Sequence, residues 1–157
     1  MTFKKSAILL AACCFALSHL PLAASQGLTQ VATEYAPKAI GPYSQAVAAG
    51  QYLFVSGQIA IDPTTSKLAG DTIEVQTRQV LKNMKAILVA HGLTLENVVK
   101  TEVYLKDLKD FAAMNGIYGE YFIFDIKPAR ATVQISKLPL DALVEISCVA
   151  FIPEPAK

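Results

Sequence analysis

From residue 43 onward the apolar positions keep two distinct rhythms. Tyr43–Ala49 and Tyr52–Ile61 are rich in aromatic and aliphatic residues and read as strands, with Gly50-Gln51 between them as a two-residue hairpin connection. Asp62-Pro63-Thr64-Thr65 is a turn. The period then lengthens: Ile73, Val80, Met84, Ile87 and Leu88 recur at helical spacing and draw one apolar stripe. Asp71 with Glu74 three residues later predicts a capping box at the start of this helix. His91-Gly92 predicts its end, because glycine suits a left-handed cap and histidine suits the negative end of the helix dipole. Val98–Leu105 is a β-branched strand, and Phe111, Met114, Tyr118 and Phe122 place core aromatics on a second helix from about Asp110. After a loop ending at Lys127-Pro128, strands are expected over Ala131–Ser136 and Leu143–Phe151, separated by a turn at Pro139. Gln26–Ala39 shows no such rhythm and reads as poorly structured, with a turn at Gly41-Pro42. The order is ββαβαββ, an α+β pattern with two helices on one face of a sheet.

The other face of that sheet is also apolar. Both parities of Val98–Leu105 carry hydrophobic residues, and the last strand runs Leu143-Val-Glu-Ile-Ser-Cys-Val-Ala-Phe151. Two helices cannot cover both faces, so self-association is expected.

The first 25 residues follow a different logic. Lys4 and Lys5 precede an apolar run from Ser6 to Leu17, and small residues at Ala23 and Ser25 suit cleavage near residue 25, the layout of a secretory signal peptide. The run is shorter than the roughly 20 residues of a membrane span. An uncleaved anchoring helix and lipidation at Cys13 are the alternatives. Residues 1–25 are therefore read as a leader and residues 26–157 as one domain, periplasmic or secreted after cleavage and without stable membrane association.

Composition then narrows the chemistry. The whole chain has 14 basic and 13 acidic residues, and loss of Lys4 and Lys5 leaves one fewer base than acids. Such a near-neutral chain offers no basic surface to nucleic acid. Cys13, Cys14 and His19 leave with the leader, so the mature domain keeps one cysteine, Cys148, and one histidine, His91. No internal disulfide is possible, and a zinc site built on several histidines is excluded. Phosphate-binding and dinucleotide-binding glycine motifs, a GxSxG elbow and a CxxC pair are all absent. His91 is read as a capping residue.

Three charged residues remain. Arg78 lies mid-helix among polar neighbours and reads as a solvated or ion-paired side chain. Arg130 stands at a strand entrance after Lys127-Pro128-Ala129, where its planar fork either grips a ligand carboxylate or forms a structural salt bridge. Glu145 lies among Val144, Ile146, Val149 and Phe151; it either faces water at an edge or is buried, in which case its pKa rises and it becomes a candidate base. If the last two strands form a hairpin, Glu145 faces about Gln134, four positions or ~13 Å from Arg130. Either those strands are not neighbours, or one group works across a subunit boundary.

Several collinear segments resemble the RidA/YjgF family of reactive intermediate deaminases. They are Pro128-Ala-Arg-Ala-Thr-Val-Gln-Ile-Ser-Lys-Leu138 with Val144-Glu-Ile146, Ala39-Ile-Gly-Pro-Tyr-Ser-Gln45, Phe54-Val-Ser-Gly-Gln58, Val99–Leu108 and Phe111–Asn115. Together they span about residues 33 to 152. The resemblance implies a chorismate-mutase-like fold with a mixed sheet, a homotrimer with clefts between subunits, and hydrolysis of 2-imino acids such as 2-iminopropanoate to 2-oxo acids and ammonia without metal or cofactor. It implies that Arg130 clamps the substrate carboxylate and that Glu145 holds or activates water. Tyr43, Ser56 and Asn115 then line the cleft, Asn115 reaching in from the neighbouring subunit. Thr132 departs from the cysteine many relatives carry there, which argues against thiol chemistry, and the leader departs from their usual cytosolic setting. Two other readings stand beside this one: a non-catalytic small-acid-binding or chaperone-like protein, and a nuclease, against which the charge argues.

Overall fold

The structure is a computed structural model that describes residues 27–154; the leader reading lies outside the described residues. Ten elements follow in order: β1 (Thr29–Val31), β2 (Ala46–Ala49), β3 (Tyr52–Gln58), β4 (Ile61–Asp62), β5 (Lys67–Leu68), α1 (Ile73–Ala90), β6 (Val98–Leu105), α2 (Phe111–Tyr121), β7 (Ala129–Gln134) and β8 (Val144–Phe151). Six strands form one sheet in the order β1-β2-β3-β8-β6-β7, and β4 and β5 make a separate small ribbon. All pairings in the large sheet are antiparallel except β6 with β7, whose parallel pairing needs the long crossover that α2 supplies.

The ββαβαββ frame is present, with differences at its margins. β2 and β3 meet across Gly50-Gln51, and Gly50 takes the left-handed φ of +58° suited to a tight hairpin turn. The segment expected to be unstructured contains β1, which the backbone of β2 recruits at Thr29–Val31; three residues are too short for a visible rhythm. The cap of α1 falls one residue later than expected. Thr72, not Asp71, remains extended and accepts a hydrogen bond from the Val75 N–H at 3.4 Å, while Glu74 occupies the first turn where the dipole favours a negative charge. His91 closes the helix as the C-cap, its N–H donating to the Leu88 carbonyl at 3.0 Å.

The main difference is strand order. β7 and β8 are not neighbours, because β6 lies between them. The alternating side chains of β8 divide cleanly: Val144, Ile146, Cys148 and Ala150 are buried toward the helices, and the interleaved residues face the open side. Against the buried set pack Val80, Leu81, Met84, Ile87 and Leu88 of α1 and Met114, Ile117 and Phe122 at α2. Arg78 spans the two helices, donating to Glu120 at 2.5 and 2.8 Å, an exposed ion pair.

Two buried amides of α1 fasten the chain that leads toward the open face. Asn83 Nδ2 donates to the carbonyls of Ile59 and Ile61 at 3.2 and 2.8 Å. Gln76 donates to the Gly70 carbonyl at 3.0 Å and accepts from the Leu143 N–H at 2.8 Å, two residues before Glu145. Replacing Gln76 by Leu strands both backbone groups, so Gln76→Leu is expected to cost about 1–3 kcal/mol. Urea unfolding of wild type and variant checks this, an unchanged midpoint being the contrary result.

Candidate active site

Glu145 sits on the open face of the sheet, in register with Tyr104 of β6. On its other side β3 is bulged. Val55 pairs with Cys148 and Gln58 with Ile146, so three steps along β3 match two along β8, and Ser56-Gly57 hold the extra residue. The bulge brings Gly57 against the carboxyl: a Cβ built on Gly57 lies 1.9 Å from Glu145 Oε1. Only glycine leaves room for the carboxylate there. Burial pushes the Glu145 carboxyl above its usual range.

The rest of this pocket is held by a clasp. Gln45, buried, accepts from the Thr33 N–H at 2.6 Å and donates to the carbonyls of Thr33, Ala36 and Pro37 at 3.0, 3.2 and 2.7 Å. That folds residues 33–37 back over the start of β2. Ser56 is fixed by its hydroxyl, which donates to the Ser44 carbonyl at 2.7 Å, and by its N–H, which donates to the Gln45 carbonyl at 3.0 Å. Tyr43 is half exposed, its hydroxyl accepting from the Ile40 N–H at 3.4 Å. Tyr43, Ser56, Gly57 and Glu145 line a cavity of about 430 Å³ with apolar walls from Ile40 and Pro139.

Arg130 lies elsewhere. It is exposed on β7, the edge strand, in register with Thr101 and through it with Cys148. Thr101 and Cys148 are buried toward the helices, so Arg130 belongs to the helix side and Glu145 to the open side. Three residues along and two strands across correspond to roughly 10 Å in each direction. The guanidinium donates to Asn115 Oδ1 at 2.8 Å and stands 4.6 Å from the ring centre of Tyr118 and 5.8 Å from that of Phe111. Asn115 thus stands beside Arg130 within one chain, apart from Tyr43, Ser56 and Glu145. Asn115, Tyr118 and Arg130, with Lys127 and Pro128, border a second cavity of about 370 Å³.

The candidate residues therefore form two clusters: Tyr43, Ser56 and Glu145 on one surface, Asn115 and Arg130 on another. Among the described residues neither Glu145 nor Arg130 enters a salt bridge. The structure accordingly favours neither the structural-pair reading of Arg130 nor a water-facing edge position for Glu145. Gly57 and Tyr118 were not singled out in the sequence as site residues. An isolated glycine inside a strand was the available signal for the first. For the second, the spacing Phe111, Asn115, Tyr118, Phe122 placed Arg130's partners on one helix face with aromatics read only as core.

Burial pushes the Cys148 thiol up to about 12, which makes it inert at neutral pH. The Thr132 hydroxyl is buried without a hydrogen-bond partner among the described residues. No group of three or more metal-ligating side chains occurs among them. No helix of the described residues is long and apolar enough to cross a membrane.

Fold and site define a small α+β protein with a cavity-lining carboxylate and a separately mounted guanidinium. The family profile described as Endoribonuclease L-PSP matches residues 33–152. A RutC family protein of Pyrococcus horikoshii is 56% identical over 119 residues, covering 76% of this chain and 94% of that protein. The chloroplastic Reactive Intermediate Deaminase A of Arabidopsis thaliana is 49% identical over 120 residues, 76% of this chain and 64% of that protein. Among solved structures, the YjgF gene product of E. coli superposes with a TM-score of 0.75 at 43% identity, over 78% of this chain and 98% of that one. E. coli TdcF with bound serine gives 0.76 at 39% identity, over 80% and 99%. The chain belongs to the YjgF/RidA/RutC family and has its chorismate-mutase-like fold.

The contact of Gly57 with Glu145 yields a direct test. Gly57→Ala forces the carboxyl to move by an ångström or more, and a displacement of that size costs about 100-fold in turnover at a site that uses it. Ammonia release from 2-imino acids, with circular dichroism to confirm the fold, measures it; wild-type rates in the folded variant contradict the role.

Proposed function

We propose that this protein hydrolyses 2-imino acids to 2-oxo acids and ammonia, in sites that each draw on two copies of the chain within a homotrimer. Family membership, with a relative named as a reactive intermediate deaminase, supports deamination in general. One observation carries the finer reading. A half-buried carboxyl and an exposed guanidinium, neither salt-bridged among the described residues, lie on different surfaces of one chain, so a site that uses both draws on two chains. β7 is an exposed edge, and Tyr52, Phe54, Val133 and Phe151 leave the open face apolar, so there is surface for a second copy to cover.

In the reaction the Arg130 fork grips the substrate carboxylate with two parallel hydrogen bonds, fixing the imine carbon. Glu145 of the adjoining copy takes a proton from water as its oxygen bonds to that carbon, giving a carbinolamine. The same carboxyl returns the proton to nitrogen and then takes the hydroxyl proton of the carbinolamine, so that the C=O bond forms as the C–N bond breaks with its electron pair leaving on nitrogen as ammonia; the proton left on the carboxyl passes to solvent. A protonated imine carbon is already electrophilic, so no covalent nucleophile, metal or cofactor is required. Burial of Glu145 moves its pKa toward the working pH, as a general base needs. Tyr43 and Ser56 line the pocket for the remainder of the substrate. Residues 1–25 act as a cleaved leader that delivers the domain to the periplasm or outside the cell.

A second reading, binding of a small carboxylic acid without turnover, draws support from the serine bound in the TdcF structure. Titration of 2-oxo acids by calorimetry beside the turnover assay separates the two. For the enzymatic reading, Arg130→Ala is expected to lower kcat/KM for an oxidase-generated imino acid about 100-fold or more, and Arg130→Lys to recover only part, because lysine keeps the charge and loses the fork. Unchanged turnover in Arg130→Ala refutes it. The pH profile adds a sign: the reaction needs the deprotonated carboxylate, so kcat/KM falls as pH drops through a pKa above 4.5, the ordinary value for this group. A limb at or below that value contradicts Glu145 as the base. Intact-mass measurement of the exported protein is expected to show loss of about the first 25 residues, in line with the signal-peptide layout.

A further inference from the structure

We infer that Tyr118 is the positioning residue of the Arg130 clamp: its ring, locked from behind by Thr101 and Phe122, is the shelf that sets where the guanidinium points. This rests on the proposed role of Arg130 and adds a residue that role does not include.

An arginine on an exposed edge strand is ordinarily mobile, with about 2 kcal/mol of rotamer entropy to lose on binding. Here three groups of α2 surround it. Asn115 accepts one N–H at 2.8 Å, the Tyr118 ring lies 4.6 Å from the guanidinium carbon, and the Phe111 ring lies 5.8 Å away. These residues occupy positions 111, 115 and 118, steps of four and three that share one helix face. The Tyr118 distance is well within the range of a cation–π contact.

What distinguishes Tyr118 from a packing aromatic is how it is held. Its hydroxyl is within 2.8 Å of Thr101 Oγ1 in a buried contact, and Thr101 is the residue of β6 in register with Arg130. Its ring stacks on Phe122 with centroids 4.4 Å apart and planes inclined by 24°. The strand that carries Arg130 and the ring that supports it are thus keyed to the same residue, Thr101. Burial also raises the Tyr118 pKa, so the hydroxyl keeps its proton and the hydrogen bond persists across neutral pH. Phe111, more than a third exposed, adds a side wall. With one N–H held by Asn115 and one π face on Tyr118, the guanidinium can offer its remaining N–H groups to a carboxylate without first being ordered.

The test combines kinetics with a spectroscopic readout on the intact protein. Tyr118→Phe keeps the ring but loses the Thr101 bond and is expected to raise KM for 2-iminopropanoate about threefold, whereas Tyr118→Leu also removes the π face and is expected to raise KM about tenfold, kcat being less affected in both. Unchanged KM in a folded Tyr118→Leu protein of native oligomeric state, when Arg130→Ala is inactive, overturns the positioning role and leaves the function standing. Unchanged turnover in Arg130→Ala overturns the function itself. Because Tyr118 is core-facing and Tyr118→Leu could fail to fold, the wild type supplies a second measurement. The chain has only two arginines, Arg78 and Arg130, so ¹⁵N-labelled arginine gives two Nε–H signals, assigned by Arg78→Lys. An upfield ring-current displacement of the Arg130 signal, retained in Tyr118→Phe, supports the shelf; a signal at the solvent-exposed position overturns it.

Discussion

The central position of β8 governs what this molecule can do. Paired on both sides, the strand has no edge through which Glu145 could reach water, so its carboxyl must lie flat on one face of the sheet. Alternation assigns that face: Ile146 and Cys148 point into the helices, and Glu145 points away from them. The same pairing places β6 between β8 and β7, which moves Arg130 two strands away and onto the opposite side. Backbone hydrogen bonding thus places the two charged groups on different surfaces of one chain.

Accommodating a carboxylate on a central strand demands local concessions. The β3 bulge and Gly57 open the space, Gln45 folds residues 33–37 into a wall, and Asn83 and Gln76 tie the surrounding backbone to α1. These are buried amides satisfied almost wholly by main-chain groups. Such bonds hold loops in place as secondary structure would, in segments where no ladder is available. Arg130 is supported differently, by an aromatic face and one amide oxygen on a single helix. The Glu145 cavity is therefore built from strand and loop, the Arg130 cluster from helix and edge.

On the proposed reading, assembly and site formation are one event. Covering the apolar open face and the exposed edge of β7 removes greasy surface from water, and the same contact brings a guanidinium to a carboxyl that has no salt-bridge partner among the described residues. A site divided in this way is silent in the separated chain, which limits stray chemistry on reactive imines.

Much of this was readable in advance. Hydrophobic rhythm located both helices and the main strands, because amphipathic periodicity is written by local burial: Val98–Leu105 matches β6 residue for residue, and the stripe from Ile73 to Leu88 is the buried face of α1. The scarcity of arginine and its place at a strand entrance singled out Arg130, and Glu145 stood out as an acid inside an apolar strand, where a lone ionised side chain has few structural reasons to be. Short or weakly patterned pieces escaped: β1, the β4–β5 ribbon and the one-residue shift of the α1 cap from Asp71 to Thr72. The insertion of β6 between β7 and β8, the bulge that seats Glu145 against Gly57, and the Tyr118 shelf beneath Arg130 were decided only in three dimensions. Strand order and close approach depend on which distant segments meet, and no local pattern of polar and apolar residues encodes that choice.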